Sequence, residues 1–294
     1  MLDPSYGPLL DALRGVRWMA RRNAPGGATG VHASRQRGVS AEFTEYRPYR
    51  QGDDPRRLDW KLLARSDRAY VRLATERTVL RTAIVVDGSA SMAFPAQSLG
   101  KWAQARRLAV GLAAAAHAAG DPVGLVIAGE TPRTLAPRTR RGVVGEVART
   151  LDDATPGGRG AIAPAFASAR WASRVALVTD FLGDADALLA AARTACAAGV
   201  DVLALHVVSR LELEPPAGAF VAADPEDPRL RRPVVSGARA TYRRAFDAWR
   251  AELAAAWRAA GVRYVEVADD EPAERAVRRA VSLGGDAAAS AAAP

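Results

Sequence analysis

The sequence predicts an α/β protein in which a mainly parallel sheet is flanked by helices and preceded by an N-terminal extension with some β structure. Short runs of aliphatic and β-branched residues, such as Thr82–Val86 and Val175–Thr179, recur from residue 81 onwards. Continuous apolar runs of this length are typical of strands buried on both faces. Segments of helical length separate the runs, and this alternation favours βαβ units and a parallel sheet.

The predicted elements follow one another along the chain. In the extension we expect a helix at 9–22, which ends before the loop signal Pro25-Gly26-Gly27, and a strand at 69–74. Further strands are expected at 82–86, 123–128, 175–179, 200–208 and 262–267, with a short edge strand at 220–222. Helices are expected at 99–119, 142–151, 162–172, 184–198, 238–260 and 272–281. The predicted organisation is an extension (1–80), an α/β domain (81–283) and a disordered tail (284–294).

Size and composition limit the class of protein. Nearly half of the 294 residues are hydrophobic (49%), which is enough to bury a substantial core. The single cysteine, Cys196, excludes an intrachain disulfide and fits a reducing compartment. No run approaches the ~20 apolar residues that a membrane-spanning helix needs, and the first residues lack the pattern of a secretory signal. We therefore expect a cytoplasmic protein without a transmembrane segment.

The net charge of +9 raises the alternative of a basic nucleic-acid-binding protein. Only two of the 41 basic residues, Lys61 and Lys101, are lysines, and the arginines are spread along the whole chain. This preference for arginine indicates a compositional bias. Composition alone supports only a non-specific attraction to nucleic acid. We keep nucleic-acid binding as an alternative and expect no specific nucleic-acid partner.

Two acidic residues lie where predicted buried strands end. Asp87 follows the run at 83–86, and Asp180 follows the run at 175–179. Ligands of open parallel sheets bind outside the carboxyl ends of the strands. Ser89 and Ser91 follow Asp87 closely, and carboxylate and hydroxyl oxygens together suit a hard cation such as Mg²⁺. The alternative is that Asp87 and the serines only cap the next helix and stabilise a turn.

An enzymatic alternative places Asp87 as the nucleophile of a metal-dependent phosphotransferase or hydrolase of the haloacid-dehalogenase type. Such an enzyme needs a second Asp two residues later as its general acid, and this position is Ser89. No lysine follows residue 101 to hold a phosphoryl group. We therefore expect no enzyme and name no catalytic residue.

A long spaced pattern of polar and aromatic residues precedes the first sheet strand. It comprises Gly38, Glu42, Phe43, Arg47, Tyr49, Gly52, Asp53, Asp54, Arg56, Asp59, Trp60, Ala64 and Arg65, and Asp87-Gly88-Ser89-Ala90-Ser91-Met92 follows it. In this pattern the chain resembles the bacterial family catalogued as domain of unknown function 58. The resemblance implies a von Willebrand factor A-like fold. It also implies an adaptor or chaperone-like role beside a MoxR-type AAA+ ATPase, in client remodelling or metal-cofactor maturation.

The resemblance also implies a metal-ion-dependent adhesion site, formed by Asp87, Ser89 and Ser91 in the first loop and Asp180 in the third. The threonine that the second loop normally supplies is absent, because Arg159 and Gly160 occupy its place. We therefore expect a degenerate site that binds Mg²⁺ or Mn²⁺ weakly if at all. The Arg159 guanidinium is an alternative cation for Asp87 or Asp180.

The polar pattern itself has two interpretations, a set of ion pairs within the extension or a recognition surface. For Asp59 and Trp60 we favour the structural role. We expect Arg56 and Arg57 to be exposed and, with Arg159, to contact a partner protein.

Overall fold

The computed structural model describes residues 2–19, 41–51, 53, 55, 58–76, 79–218, 220–225, 229–234 and 237–282. The chain forms two compact units. The body comprises Met1–Arg22 and Leu80–Pro294, and the hairpin unit comprises Asn23–Val79. The predicted extension is therefore divided, since its first 22 residues belong to the body. The predicted tail at 284–294 lies outside the described residues.

The body contains most of the regular structure. Its strands are β3 (Thr82–Asp87), β4 (Val123–Ala128), β5 (Arg133–Arg138), β6 (Arg174–Thr179), β7 (Asp201–Val208), β8 (Phe220–Ala223), β9 (Arg231–Val234) and β10 (Arg263–Ala268). Its helices are α1 (Tyr6–Ala12), α3 (Gly100–Ala118), α4 (Val143–Asp152), α5 (Ile162–Ser168), α6 (Ala185–Ala197), α7 (Arg210–Leu213), α8 (Ala238–Ala259) and α9 (Ala273–Ser282). The hairpin unit contains β1 (Ala41–Pro48), α2 (Trp60–Ser66) and β2 (Tyr70–Glu76).

Six strands of the body form one sheet in the order β10-β7-β6-β3-β4-β5. All neighbours are parallel except β5, which runs antiparallel to β4 at the edge. The predicted mixed α/β architecture with a mainly parallel sheet is confirmed. The strand β5 was not predicted, because its alternating burial and its Pro137 suit an exposed edge and give no continuous apolar run.

Alternate residues of the central strand β3 enter two separate cores. Ile84 and Val86 pack in the core that α1, α3, α4 and α9 cover, whereas Ala83 and Val85 pack in the core under α5, α6 and α8. Since successive side chains of a strand point to opposite faces, a strand covered on both sides must be apolar throughout. This requirement explains why the strands were visible as continuous apolar runs.

The N-terminal segment of the body packs against the rest of the body around Trp18. The predicted helix at 9–22 is wrong in extent, because α1 ends at Ala12 and Gly15 adopts a positive φ of 78°. The Trp18 ring is fully buried, and the guanidinium of Arg174 lies 4.5 Å from its centroid. Arg174 also donates to the Trp18 carbonyl (3.0 Å) and pairs with the Asp121 carboxylate (3.0 Å). A buried arginine thus joins the sheet to the chain terminus.

The predicted edge strand at 220–222 is wrong in its pairing. The strand β8 pairs antiparallel with β9 in a separate two-stranded sheet, outside the six-stranded one. Along the chain, this hairpin lies between β7 and β10, with α7 before it and α8 after it. No helix among the described residues has the length and apolar character to cross a membrane.

In the hairpin unit, β1 and β2 pair antiparallel. Asp59 is buried and caps α2, accepting hydrogen bonds from the backbone of Lys61 and Leu62 at 3.0 Å each. Its expected structural role is confirmed. Trp60 differs from its expected structural role, since it is 64% exposed.

We predict that Trp18→Ala lowers the free energy of unfolding by about 3–5 kcal/mol, because it leaves a large cavity and exposes the Arg174 guanidinium. Urea denaturation of the purified chain measures this loss. Met19→Ala is the matched control, because the neighbouring Met19 is 60% exposed and should change stability by less than about 0.5 kcal/mol. Equal losses in the two variants would contradict the packing described here.

Candidate functional site

The candidate site lies at the point where the strand order of the sheet reverses. After β3 the chain continues to β4 on one side, while β6 pairs with β3 on the other side. Loops that leave two such strands diverge and open a crevice at their carboxyl ends. Asp87 ends β3 and Asp180 follows β6, and both side chains are buried. The predicted placement of the two carboxylates at one sheet edge agrees with this geometry.

The loop after β3 is held by backbone hydrogen bonds to two neighbouring loops. Gly88 donates to the Ala128 carbonyl (2.6 Å), and its own carbonyl accepts from Gly157 (2.9 Å). Ala90 donates to the Gly158 carbonyl (2.9 Å). A Cβ at position 88 would lie 2.5 Å from the Ala128 oxygen, so only glycine allows this approach. The loop that carries the serines is therefore fixed at the sheet edge.

The predicted cluster of Asp87, Ser89 and Ser91 is assembled in the structure. The Oδ1 atom of Asp87 accepts from the backbone of Ser89 (2.9 Å), and Oδ2 accepts from the hydroxyl of Thr179 (2.6 Å). The hydroxyl oxygens of Ser89 and Ser91 are 3.0 Å apart. Thr179 also accepts a hydrogen bond from the backbone of Phe181 (3.1 Å). The carboxyl group of Asp87 thus has neutral hydrogen-bond donors on both oxygens.

Asp180 has a different environment, because a buried lysine neutralises it. The ammonium group of Lys101, at the start of α3, donates to Asp180 Oδ2 (2.7 Å) and to Glu212 Oε1 (2.9 Å). The Lys101 side chain is 1% exposed. The other oxygen of Asp180 accepts from the backbone of Leu182 (3.2 Å). The cation beside Asp180 is therefore Lys101, whereas Arg159 is exposed and pairs with no carboxylate among the described residues.

The network extends to the loops after β7 and β10. Glu212 and Ser209 form a capping box at the start of α7, in which Glu212 Oε2 accepts from the Ser209 backbone (2.7 Å). The Ser209 hydroxyl donates to Asp269 (2.7 Å), which follows β10. Four segments at the same end of the sheet are thus joined through side chains, with Lys101 in the centre of the buried part.

Burial and the nearby charges shift the pKa values of the ionisable groups. Burial, followed by the Asp180 carboxylate, raises the pKa of Asp87 to about 6, although the bonds from Thr179 and Ser89 oppose the shift. Burial lowers the pKa of Lys101, but Asp180 and Glu212 raise it more, so that it lies above its usual value. Burial, with Lys101 and Arg250 adding to it, lowers the pKa of His206 to about 3. His206 is therefore neutral, and its Nδ1 is 2.5 Å from the Tyr264 hydroxyl.

The residues present do not fit a complete metal centre of the adhesion-site type. A Cβ at Gly160 would lie 2.8 Å from both Asp87 Oδ1 and Ser89 Cβ, so the backbone itself fills the place of a second-loop side chain. Asp180 directs one oxygen at Lys101 and the other at a backbone N–H group. The oxygen donors left for a cation are those of Asp87, Ser89 and Ser91. A hard cation takes at least six ligands, so three such donors suit weak binding.

Sequence reasoning missed Lys101, Thr179 and Glu212. A signal existed for Lys101, since it is one of only two lysines in an arginine-rich chain and follows the serine loop closely. Thr179 directly precedes Asp180 at a strand end, where its hydroxyl faces the adjacent strand. Glu212 had no signal before the fold was known, because its contact with Lys101 spans 111 positions. The predicted partner-binding residues Arg56 and Arg57 lie outside the described residues.

Fold and site define an α/β protein with a buried carboxylate and hydroxyl cluster at the switch point of its sheet. The chain belongs to the family described as "Protein of unknown function DUF58", whose profile matches residues 45–255. The resemblance noted from the spaced polar pattern is thereby confirmed.

Relatives of the chain occur in mycobacteria. Uncharacterized proteins of Mycobacterium bovis and Mycobacterium tuberculosis are each 31% identical to it over 276 residues, which is 89% of this chain and 85% of theirs. Among solved structures, the conserved hypothetical protein BatB from Bacteroides thetaiotaomicron is similar (19% identity, TM-score 0.45, 70% of this chain and 98% of that one). An aerotolerance-related membrane protein from Bacteroides fragilis is also similar (18% identity, TM-score 0.46, 70% and 100%). At this identity neither structure says what this chain does.

We predict that Gly160→Ala lowers the free energy of unfolding by about 1–3 kcal/mol, because the new methyl group collides with Asp87 and Ser89. Thermal or urea unfolding measures the change. Gly157→Ala is the matched control from the same loop, since a Cβ there meets nothing within 4 Å. A loss at 157 as large as the loss at 160 would contradict the close approach of Gly160 to the site.

A second prediction concerns Asp87 and pH. Because the folded-state pKa is raised from 3.8 to about 6, the folded state holds the proton more tightly than the unfolded chain. The contribution of Asp87 to stability is therefore lost as pH rises from about 4 to 7, by roughly 1–3 kcal/mol in total. Asp87→Asn removes this titration and keeps a side chain of the same shape. We expect the variant to gain stability relative to the wild type across that interval, and the difference to level off above pH 7.

Urea denaturation between pH 4 and pH 8, in EDTA to exclude divalent cations, measures this difference. Asp184→Asn is the control, because Asp184 is exposed and its side chain makes no capping hydrogen bond to α6. A difference between the Asp87 variant and the wild type that stays constant with pH would show that the carboxyl group is not desolvated as described.

Proposed function

We propose that this chain is a non-enzymatic adaptor that binds partner proteins through the face around Asp87. In this proposal it works with a MoxR-type AAA+ ATPase in client remodelling or metal-cofactor maturation. The observation that carries the proposal is the Asp87 carboxyl group, which is buried beside a second carboxylate and has a pKa raised to about 6. Such an arrangement costs stability at neutral pH, and costs of this kind are concentrated at functional sites.

The geometry favours binding over catalysis. Both oxygens of Asp87 already accept hydrogen bonds, and the Lys101 ammonium is held by two carboxylates. His206 is neutral and buried against Tyr264. Neither Lys101 nor His206 is therefore available as a base for the Ser89 or Ser91 hydroxyl. A general acid for a phosphotransferase would need a carboxyl group at position 89, which is a serine.

The surface beside the cluster has the character of a protein interface. A groove of about 450 Å³ lies between the serine loop and the β8–β9 hairpin, and its lining includes Ser91, Leu182, Asp224, Leu230 and Arg232. Leu182 and Leu230 are both about half exposed. Exposed apolar side chains rimmed by arginine are enriched where proteins meet. Arg159 adds an exposed cation on the loop next to Gly160.

The choice of ATPase rests on the family resemblance, and a cytoplasmic location stays a prediction. We also propose that any Mg²⁺ or Mn²⁺ binds weakly, through Asp87, Ser89 and Ser91. The adaptor role does not require the ion, because the loops are held together by protein hydrogen bonds and by Lys101.

The test is capture from a lysate of the native host with the purified, tagged chain as bait. Wild-type bait should enrich a MoxR-type AAA+ ATPase, identified by mass spectrometry, and Asp87→Ala should reduce its recovery at least about fivefold. Asp184→Ala is the matched control, since it removes an exposed carboxylate near the same sheet edge. Each bait is first shown to be folded by its thermal transition.

Equal recovery by the Asp87 variant and the wild type would remove the Asp87 face from the proposal. Failure of the wild-type bait to enrich any AAA+ ATPase would overturn the partner assignment. Turnover of a phosphate ester that Asp87→Ala abolishes would replace the adaptor role by the enzymatic alternative.

A further inference from the structure

We infer that Lys101 is the resident cation of the candidate site, and that its ammonium group takes the Asp180 carboxylate out of reach of a divalent metal ion. This inference deepens the proposed function and rests on the Asp87 cluster being the binding face. An ion pair within the chain assembles the face, and Lys101 suppresses metal binding there.

The first support is the geometry of the ammonium group. Lys101 Nζ is 2.7 Å from Asp180 Oδ2 and 2.9 Å from Glu212 Oε1. The ring of Phe94 lies 5.7 Å from the same nitrogen and covers it on another side. The whole Lys101 residue is buried. An ammonium group in this position cannot move into water without rearranging α3 or the two loops that hold it.

The second support is that every oxygen of the two carboxylates already accepts a hydrogen bond. Glu212 accepts from Lys101 with one oxygen and from the Ser209 backbone with the other (2.7 Å). Asp180 accepts from Lys101 and from the Leu182 backbone. A divalent ion that used Asp180 would have to share an oxygen with one of these donors. It would also meet the repulsion of an ammonium group a few ångströms away, in a medium of low dielectric constant.

The third support is the choice of residue. Lysine occurs at only two positions in a chain whose other basic residues are arginines. An ammonium group is a compact charge with three donors, whereas a guanidinium is a wide planar fork. The space between Asp180 and Glu212 suits the smaller cation, which explains a lysine here despite the compositional bias.

The test measures Mn²⁺ binding, because Lys101 should weaken it both by occupying the Asp180 carboxylate and by placing a positive charge beside it. The single variant Lys101→Met is unsuitable, because it removes the ammonium group and leaves two buried carboxylates without a cation. The charge-matched variant Lys101→Gln/Glu212→Gln loses one charge of each sign, so the net charge of the network is unchanged and Asp180 is released. Lys61→Met, at an exposed position, is the control.

Each protein is titrated with MnCl₂ and followed by calorimetry and by the shift of its thermal transition. We expect the charge-matched variant to bind Mn²⁺ at least about tenfold more tightly than the wild type, and Lys61→Met to match the wild type. Adding Asp180→Asn to the charge-matched variant should abolish the gain. Equal affinity of the wild type and the charge-matched variant overturns the inference, and so does the absence of binding by both.

A second measurement uses the wild-type protein, so that its result does not depend on whether a variant folds. The ¹⁵N-labelled ammonium group of Lys101 should give an exchange-protected NMR signal that persists in about 10 mM Mg²⁺. Loss of that signal on saturation with Mg²⁺ would show that the ion displaces Lys101, which contradicts the inference. Capture of the ATPase by wild-type bait in EDTA is scored separately. If the Mn²⁺ gain is absent but the ATPase is still captured, the role of Lys101 is wrong and the adaptor role stands. If the Mn²⁺ gain is observed but the ATPase is not captured, the adaptor role is wrong and the role of Lys101 stands.

Discussion

The buried ion pair between Lys101 and Asp180 is the interaction on which the carboxyl end of the sheet depends. The parallel strands bring their ends to one edge, but they do not determine the paths of the loops beyond it. Lys101 extends from the start of α3 to the loop after β6 and, through Glu212, to the turn after β7. Removing one partner of such a pair leaves an uncompensated buried charge, which is far more costly than the pair itself. The ion pair therefore fixes the loop after β6 and the turn after β7 relative to the start of α3.

Asp87 lies beside this network, and among the described residues no Lys or Arg side chain pairs with it. A carboxyl group in that position is stabilised only by neutral donors, and the negative charge of Asp180 nearby raises its pKa further. An asparagine in its place would carry no charge, but it has a single acceptor oxygen and could not accept from both the Ser89 backbone and the Thr179 hydroxyl. The charge nevertheless costs stability at neutral pH, and the proposed binding role rests on this cost.

The sheet was predictable because burial on both faces demands uninterrupted apolar strands, such as the run at 123–128 that became β4 without change. The Asp87 and Asp180 pair was predictable for the related reason that polar residues end those runs. Three features were not predictable. Edge strand β5 has a half-exposed alternation, α1 is shorter than its apolar spacing suggested, and the partner of Asp180 is distant in sequence. Local pattern determines which residues are buried, and the fold alone determines which buried charges meet.

A lysine and a divalent ion can both neutralise carboxylates at a strand end, but with different consequences for binding. A metal ion is exchangeable and leaves coordination positions open, so an acidic group of a partner can enter its shell. An ammonium group belongs to the chain, is present at every metal concentration, and here has its donors directed at two internal carboxylates. In the proposed role, a partner of this face meets the exposed side chains around the buried cluster, among them Leu182, Leu230 and Arg232. Recognition of such a partner would then depend on the shape and charge of a preassembled surface, and not on the supply of metal.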